Sequence, residues 1–92
     1  MRSRSVKVRN ALGMHARAAA RFVHAATAFR SQVRVARGAR EMDGKSIMGI
    51  LLLAAGCGSQ ITISADGADE AEAIETLCQL VESGFGEQTC GD

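Results

Sequence analysis

The apolar positions of this chain follow two rhythms. In Arg4-Ser5-Val6-Lys7-Val8-Arg9, polar and apolar residues alternate. That is the period of a strand with one buried face, and it turns Val6 and Val8 inward. The alternation returns over Ser31 to Arg37, with Val33 and Val35 inward, and over Gln60 to Ser64, with Ile61 and Ile63 inward. Gly38-Ala39 makes a tight connection to a short returning strand, Arg40-Glu41-Met42, so the second and third strands form a hairpin. Between these stretches the spacing is helical. Ala16 to Phe29 carries Ala19, Phe22, Val23 and Ala26 on one stripe. Glu70 to Ser83 carries Ala71, Ile74, Leu77, Cys78 and Val81, and Gly84 stops it. Asp69, with Glu72 three residues on, predicts a capping box at its start.

The segment from Ile47 to about Ala55 is apolar enough to be a buried strand. Ser46 as N-cap in front and Gly56-Cys57-Gly58 behind favour a short helix. It carries two apolar stripes, Ile50-Leu53-Ala54 and Ile47-Met48-Leu51-Leu52. A short helix in a two-layer domain buries one side well, so the second stripe should stand partly exposed and offer a patch to a partner. The order is therefore β-α-β-β-α-β-α. Every strand alternates, so one face of the sheet is covered by helices and the other is wet. This is an α+β open-faced β-sandwich. The string alone does not select a strand order, and a ferredoxin-like domain has nearly the same one.

Ninety-two residues make a single domain, placed here at residues 1–86, with residues 87–92 as a flexible tail. No apolar run approaches a membrane span, and the first residues lack the apolar stretch of a signal peptide, so the expectation is a cytoplasmic protein that does not insert in a membrane. The three cysteines, Cys57, Cys78 and Cys90, are odd in number and show no CxxC spacing. That predicts reduced thiols, with Cys78 in the core and Cys90 exposed in the tail. No cofactor and no metal-ligand set is expected. All eleven Lys and Arg precede Ser46 along with only two acids, whereas eight acids and no base follow it. The basic half could steer an acidic partner or a phosphorylated group.

The chemistry concentrates in Leu12-Gly13-Met14-His15-Ala16-Arg17. This loop ends in a histidine where a helix begins. The first turn of a helix offers unpaired N–H groups and a partial positive charge, which suits phosphate. An imidazole there can carry a phosphoryl group covalently, and an arginine two residues on can neutralise its oxygens. His24 lies nine residues beyond His15. At about 100° per residue it points to the opposite side of the helix, so the two cannot share a metal.

These residues resemble the HPr family of phosphocarrier proteins. Gly13-Met14-His15-Ala16-Arg17 is similar to the family's active-site motif, and Lys45-Ser46-Ile47-Met48-Gly49 to its regulatory-serine segment. The resemblance runs from about Ser5 to Glu87. It implies a four-stranded antiparallel sheet in the order 1-4-2-3 with three helices on one face. It implies that His15 takes a phosphoryl group on Nδ1 from Enzyme I and passes it to an Enzyme IIA-type acceptor, with Arg17 stabilising the phosphate. It further implies that Ser46 is phosphorylated by an HPr kinase/phosphorylase, and that the protein is a carrier rather than an enzyme. Ala20, Ile47, Met48 and Leu51 are the expected docking patch, and the chain is expected to be a monomer. The family commonly has proline where Ala18 stands, and this chain has no proline at all. In that respect it resembles nitrogen-type regulatory carriers. Two other readings compete. One is a ferredoxin-like nucleic-acid-binding module using the basic half; the chain has only three Phe and no Tyr or Trp to stack on bases, so no nucleic-acid partner is expected. The other is a thiol or metal protein built on Cys57, Cys78 and His15, for which no ligand spacing exists.

Overall fold

The structure is a computed structural model that describes residues 1–90. Its elements follow the predicted order: β1 (Arg2–Lys7), α1 (Ala16–Thr27), β2 (Gln32–Arg37), β3 (Arg40–Asp43), α2 (Ile47–Leu52), β4 (Gln60–Asp66) and α3 (Glu70–Glu82). A short 3-10 turn over Gly84–Gly86 follows. The four strands form one antiparallel sheet in the order β1-β4-β2-β3.

Strand β4 is central because it pairs with both neighbours along most of its length, Val6 against Ile61 on one side and Val35 against Ile63 on the other. The residues that alternation turns inward are the ones buried: Val6, Val8, Val33, Val35, Ile61, Ile63 and Ala65. They meet Ala18, Ala19, Phe22 and Ala26 of α1, Ile50 of α2, and Ala73, Ile74, Leu77, Cys78 and Val81 of α3 in one hydrophobic core. The outer face of the sheet is polar. There Ser3 bonds Ser64 and Ser5 bonds Thr62 across the β1–β4 pair.

Four details differ from the sequence expectations. Ala73 is buried on α3, whereas Ala71 is exposed. Ala54 is also exposed, because α2 ends at Leu52 and Ala54 takes a left-handed φ of 51° that swings the chain away. Asp69 begins α3 but makes no side-chain cap. Its carboxylate instead accepts the amide hydrogens of Arg30 and Ser31 and the Ser31 hydroxyl, tying the end of α1 to the start of α3. Three donors from another segment outcompete one local amide.

The fourth difference concerns the C-terminal residues and the cysteines. Residues 87–90 are joined to the chain that follows β1. The amide of Ala11 donates to Gln88 O at 2.8 Å, the amide of Cys90 donates to Arg9 O at 2.7 Å, and Asn10 forms a β-bridge with Thr89. The rest of the expected tail, Gly91 and Asp92, lies outside the described residues. Cys57 and Cys90 form a disulfide with Cα atoms 6.2 Å apart, and only Cys78 is free. The expectation of three reduced thiols is thus corrected. Parity and spacing cannot register that two segments 33 residues apart both pack beside the chain after β1. Cys78 sits in the core as expected, where burial pushes its thiol up.

Candidate functional site

The loop between β1 and α1 is held by backbone bonds at several points. Gly13 adopts φ +67°, a conformation that favours glycine, and its amide donates to Asn10 O at 3.0 Å. The next amide, Met14 N–H, donates to Ala55 O at 2.9 Å, which joins the loop to the chain just after α2. Met14 itself is buried. These ties present His15 as the N-cap of α1, with extended backbone at φ −74° and ψ 178°.

Each imidazole nitrogen has its own partner. Nδ1 accepts from the amide of Arg17 at 3.3 Å, inside the first turn of α1. Nε2 lies 3.0 Å from both carboxylate oxygens of Glu87. For a neutral ring this assigns the hydrogen to Nε2, which donates it to Glu87, and leaves the lone pair on Nδ1 facing the helix amides. An incoming group at Nδ1 would therefore meet N–H donors and the positive end of a twelve-residue helix. His15 is half-buried, and the exposed Arg17 has a guanidinium with no protein partner among the described residues. Both line a shallow open depression with Ala11, Leu12, Ala16, Glu87 and Gln88.

Glu87 and Asn10 are the members of the site that the sequence reading did not assign. Asn10 is fully buried, and its amide donates to Gly13 O and, at 3.1 Å, to Glu87 Oε1. Glu87 is thus fixed between the loop and the imidazole. Its carboxyl is held below the ordinary range, first by the His15 hydrogen bond and further by the Asn10 amide and the nearby Arg21 charge; partial burial opposes them. The available signal was an acid shortly after a helix stop, too common a feature to single out. Its proximity to His15, 72 residues away, is a product of the fold.

The regulatory-segment residues lie on a neighbouring element. Ser46 caps α2, its Oγ accepting from Gly49 N at 3.1 Å. Met48, Leu52 and Ile47 are 66%, 53% and 44% exposed, and Leu51 is half-buried. The second stripe of α2 therefore faces outward, as its pattern predicts. Ala20 is exposed on α1, the helix that α2 packs against. No hydrogen bond among the described residues links Ser46 to His15. Leu12, which the sequence reading placed in the histidine loop but not in the docking patch, is 73% exposed and lines the same depression as the imidazole. Among the described residues, no group of three or more His, Cys, Asp or Glu is placed to hold a metal, and no helix is long and apolar enough to cross a membrane.

The small open-faced sandwich thus offers a cap histidine at its surface, backed by a carboxylate and flanked by a helix amide, an arrangement suited to receiving an anionic group. The comparisons agree. The family signature described as the PTS HPr component phosphorylation site matches residues 2–83. The phosphocarrier protein HPr of Cupriavidus necator is 47% identical over 87 residues, covering 95% of this chain and 98% of the relative. That of Neisseria meningitidis serogroup A is 45% identical over the same length, with the same coverage. Among solved structures, the HPr of Thermoanaerobacter tengcongensis superposes with a TM-score of 0.92 at 43% identity, covering 96% of this chain and 99% of that one. The chain belongs to the HPr family of phosphocarrier proteins of the phosphotransferase system, which are carriers and not enzymes.

Proposed function

We propose that His15 accepts a phosphoryl group on Nδ1 from phosphorylated Enzyme I and passes it to an Enzyme IIA-type acceptor. The observation that carries this reading is the split of the ring's two nitrogens, one toward the amide of Arg17 and the other toward Glu87. In the attack, the Nδ1 lone pair bonds phosphorus as the bond between phosphorus and the donor breaks, its electron pair leaving with the donor. Positive charge then develops on the ring and is stabilised through Nε2–H by Glu87. The phosphoryl oxygens face the first-turn amides and the guanidinium donors of the exposed Arg17. Phosphoryl transfer asks for little beyond such positioning and charge stabilisation. A single arginine and a few amides hold the group loosely enough for it to be handed on.

Docking falls to the exposed stripe Ile47, Met48 and Leu51 with Ala20, beside the exposed Leu12. Methionine adapts to several partners, as a carrier between donor and acceptors requires. Ser46 is the site for phosphorylation by an HPr kinase/phosphorylase. A dianion there sits at the start of α2 next to the patch and repels an acidic donor. The protein acts as a monomer in the cytoplasm. The nucleic-acid reading is set aside.

The test is incubation with Enzyme I and labelled phosphoenolpyruvate. The expected product is an acid-labile, base-stable label that His15→Ala abolishes while the far-ultraviolet circular dichroism stays unchanged. A wild-type chain left unlabelled by active Enzyme I would overturn the reading.

A further inference from the structure

We infer that Cys57 and Cys90 form a thiol–disulfide site whose oxidised state holds Glu87 against His15, so that thiol exchange sets how well the imidazole is prepared for phosphoryl uptake. The inference rests on the role proposed for His15.

Both cysteines belong to segments that flank Val8, Arg9 and Asn10. On one side Gly58 N donates to Val8 O and Val8 N donates to Ser59 O, each at 2.8 Å, which seats the loop carrying Cys57. On the other side Cys90 N donates to Arg9 O at 2.7 Å. The Cα separation of 6.2 Å lies within the range a disulfide spans. Glu87 stands three residues before Cys90, directly after the turn at Gly84–Gly86.

Without the bond, the backbone ties of residues 88–90 among the described residues are two hydrogen bonds, Ala11 N–H to Gln88 O and Cys90 N–H to Arg9 O, which together make up the Asn10–Thr89 bridge. Gln88 and Thr89 are exposed, so opening of this stretch costs little. The covalent link raises the effective concentration of Glu87 at the imidazole by tethering its segment at both ends. Cys57 is exposed and Cys90 half-buried, so both are open to a small thiol or disulfide, in contrast to the buried Cys78. A surface pair of this kind is expected to cycle rather than stay oxidised in a reducing compartment.

The chemistry balances with a low-molecular-weight disulfide as oxidant. The Cys57 thiolate attacks RSSR, forming Cys57–S–S–R and releasing RS⁻. The Cys90 thiolate then attacks the Cys57 sulfur, closing the protein disulfide and releasing a second RS⁻. Two protein thiols are oxidised and one RSSR is reduced to two RSH once the protons from the cysteines are taken up. Excess RSH reverses both steps.

The experiment compares full-length protein oxidised with glutathione disulfide, or reduced with a phosphine, and then desalted so that Enzyme I meets neither reagent. Disulfide content is read by alkylation and mass spectrometry. The initial rate of label uptake from Enzyme I and phosphoenolpyruvate is measured in each state, together with amide exchange at Ala11 and Cys90. The expected result is uptake about tenfold slower after reduction, well short of the ~10⁴ lost when a buried orienting carboxylate is neutralised, because this pair stands partly in water. Exchange at both amides should quicken in parallel. Cys57→Ser and Cys90→Ser should each match the reduced chain under both treatments. Equal uptake rates with the disulfide verified would overturn the inference, as would failure of the cysteines to pair under oxidation. Redox-dependent exchange with no label in either state would overturn both the proposed role of His15 and the coupling to it, while leaving the disulfide itself intact.

Discussion

Gly13→Ala tests the backbone that carries the histidine. At φ +67° an alanine incurs the left-handed penalty, about 1–2 kcal/mol. Its Cβ would also lie 2.7 Å from Ala55 O and 2.7 Å from Gly56 Cα. Both are backbone atoms, and Ala55 O is already the acceptor for Met14 N–H at 2.9 Å, so neither yields without disturbing the tie between the loop and the end of α2. Overpacking of this kind costs a further ~1–3 kcal/mol, and the combined loss should be about 2–5 kcal/mol. Gly38 provides the control. It too has positive φ, at +60°, but a Cβ there meets nothing within 4 Å, so Gly38→Ala should lose only about 1–2 kcal/mol. For a domain of this size each kcal/mol lowers the melting point by roughly 4–8 °C, so the two variants should melt ~8–40 °C and ~4–16 °C below the parent. Thermal and urea unfolding followed by far-ultraviolet circular dichroism read the difference. Label uptake from Enzyme I, measured well below both melting points, should fall in Gly13→Ala and stay near parental in Gly38→Ala. Equal destabilisation at the two positions would refute the steric argument.

Three further outcomes are expected. Asp69 is held at about 2 rather than 3.8, chiefly by the Ser31 hydroxyl and then the Arg30 amide, against some desolvation. A folded-state value below the unfolded one gives stability that is complete above 3.8 and is lost as pH falls toward 2; Asp69→Asn should therefore be less stable at neutral pH and lack that acid-sensitive component, and parallel urea-midpoint profiles for parent and variant would count against it. Ser46→Ala removes the acceptor for Gly49 N–H and should cost ~1 kcal/mol in urea unfolding, whereas Ser46→Asp should fold normally yet take up label more slowly; an unchanged uptake rate would remove the regulatory reading. Met48 is 66% exposed, so Met48→Glu should change stability by less than about 0.5 kcal/mol, but it should raise the concentration of Enzyme I needed for half-maximal uptake, and unchanged kinetics would exclude Met48 from the docking surface.

Most of the architecture was legible because the inward residues obey short periods. The Val and Ile pairs of the strands and the stripes at Phe22 and Leu77 are set by local geometry, and burying them leaves few arrangements of a chain this size. The position of His15 at a helix start and the outward stripe of α2 were legible for the same reason. The strand order came from family resemblance, since alternation states which face is buried and not which strand lies beside which.

The contacts that complete the site were decided by tertiary structure alone. Glu87 reaches His15 across 72 positions, Asp69 reaches Ser31 across 38, and Cys57 meets Cys90 across 33. In each case the residue's local role was plausible without the partner: a tail acid, a helix cap, a spare thiol. Hydrogen bonds and sulfur bonds act over a few ångströms, so they depend on where the backbone returns, and that return is set by the packing of the whole core. Periodicity in the sequence determined which residues face inward; only the closed fold determined which polar groups meet at its edge.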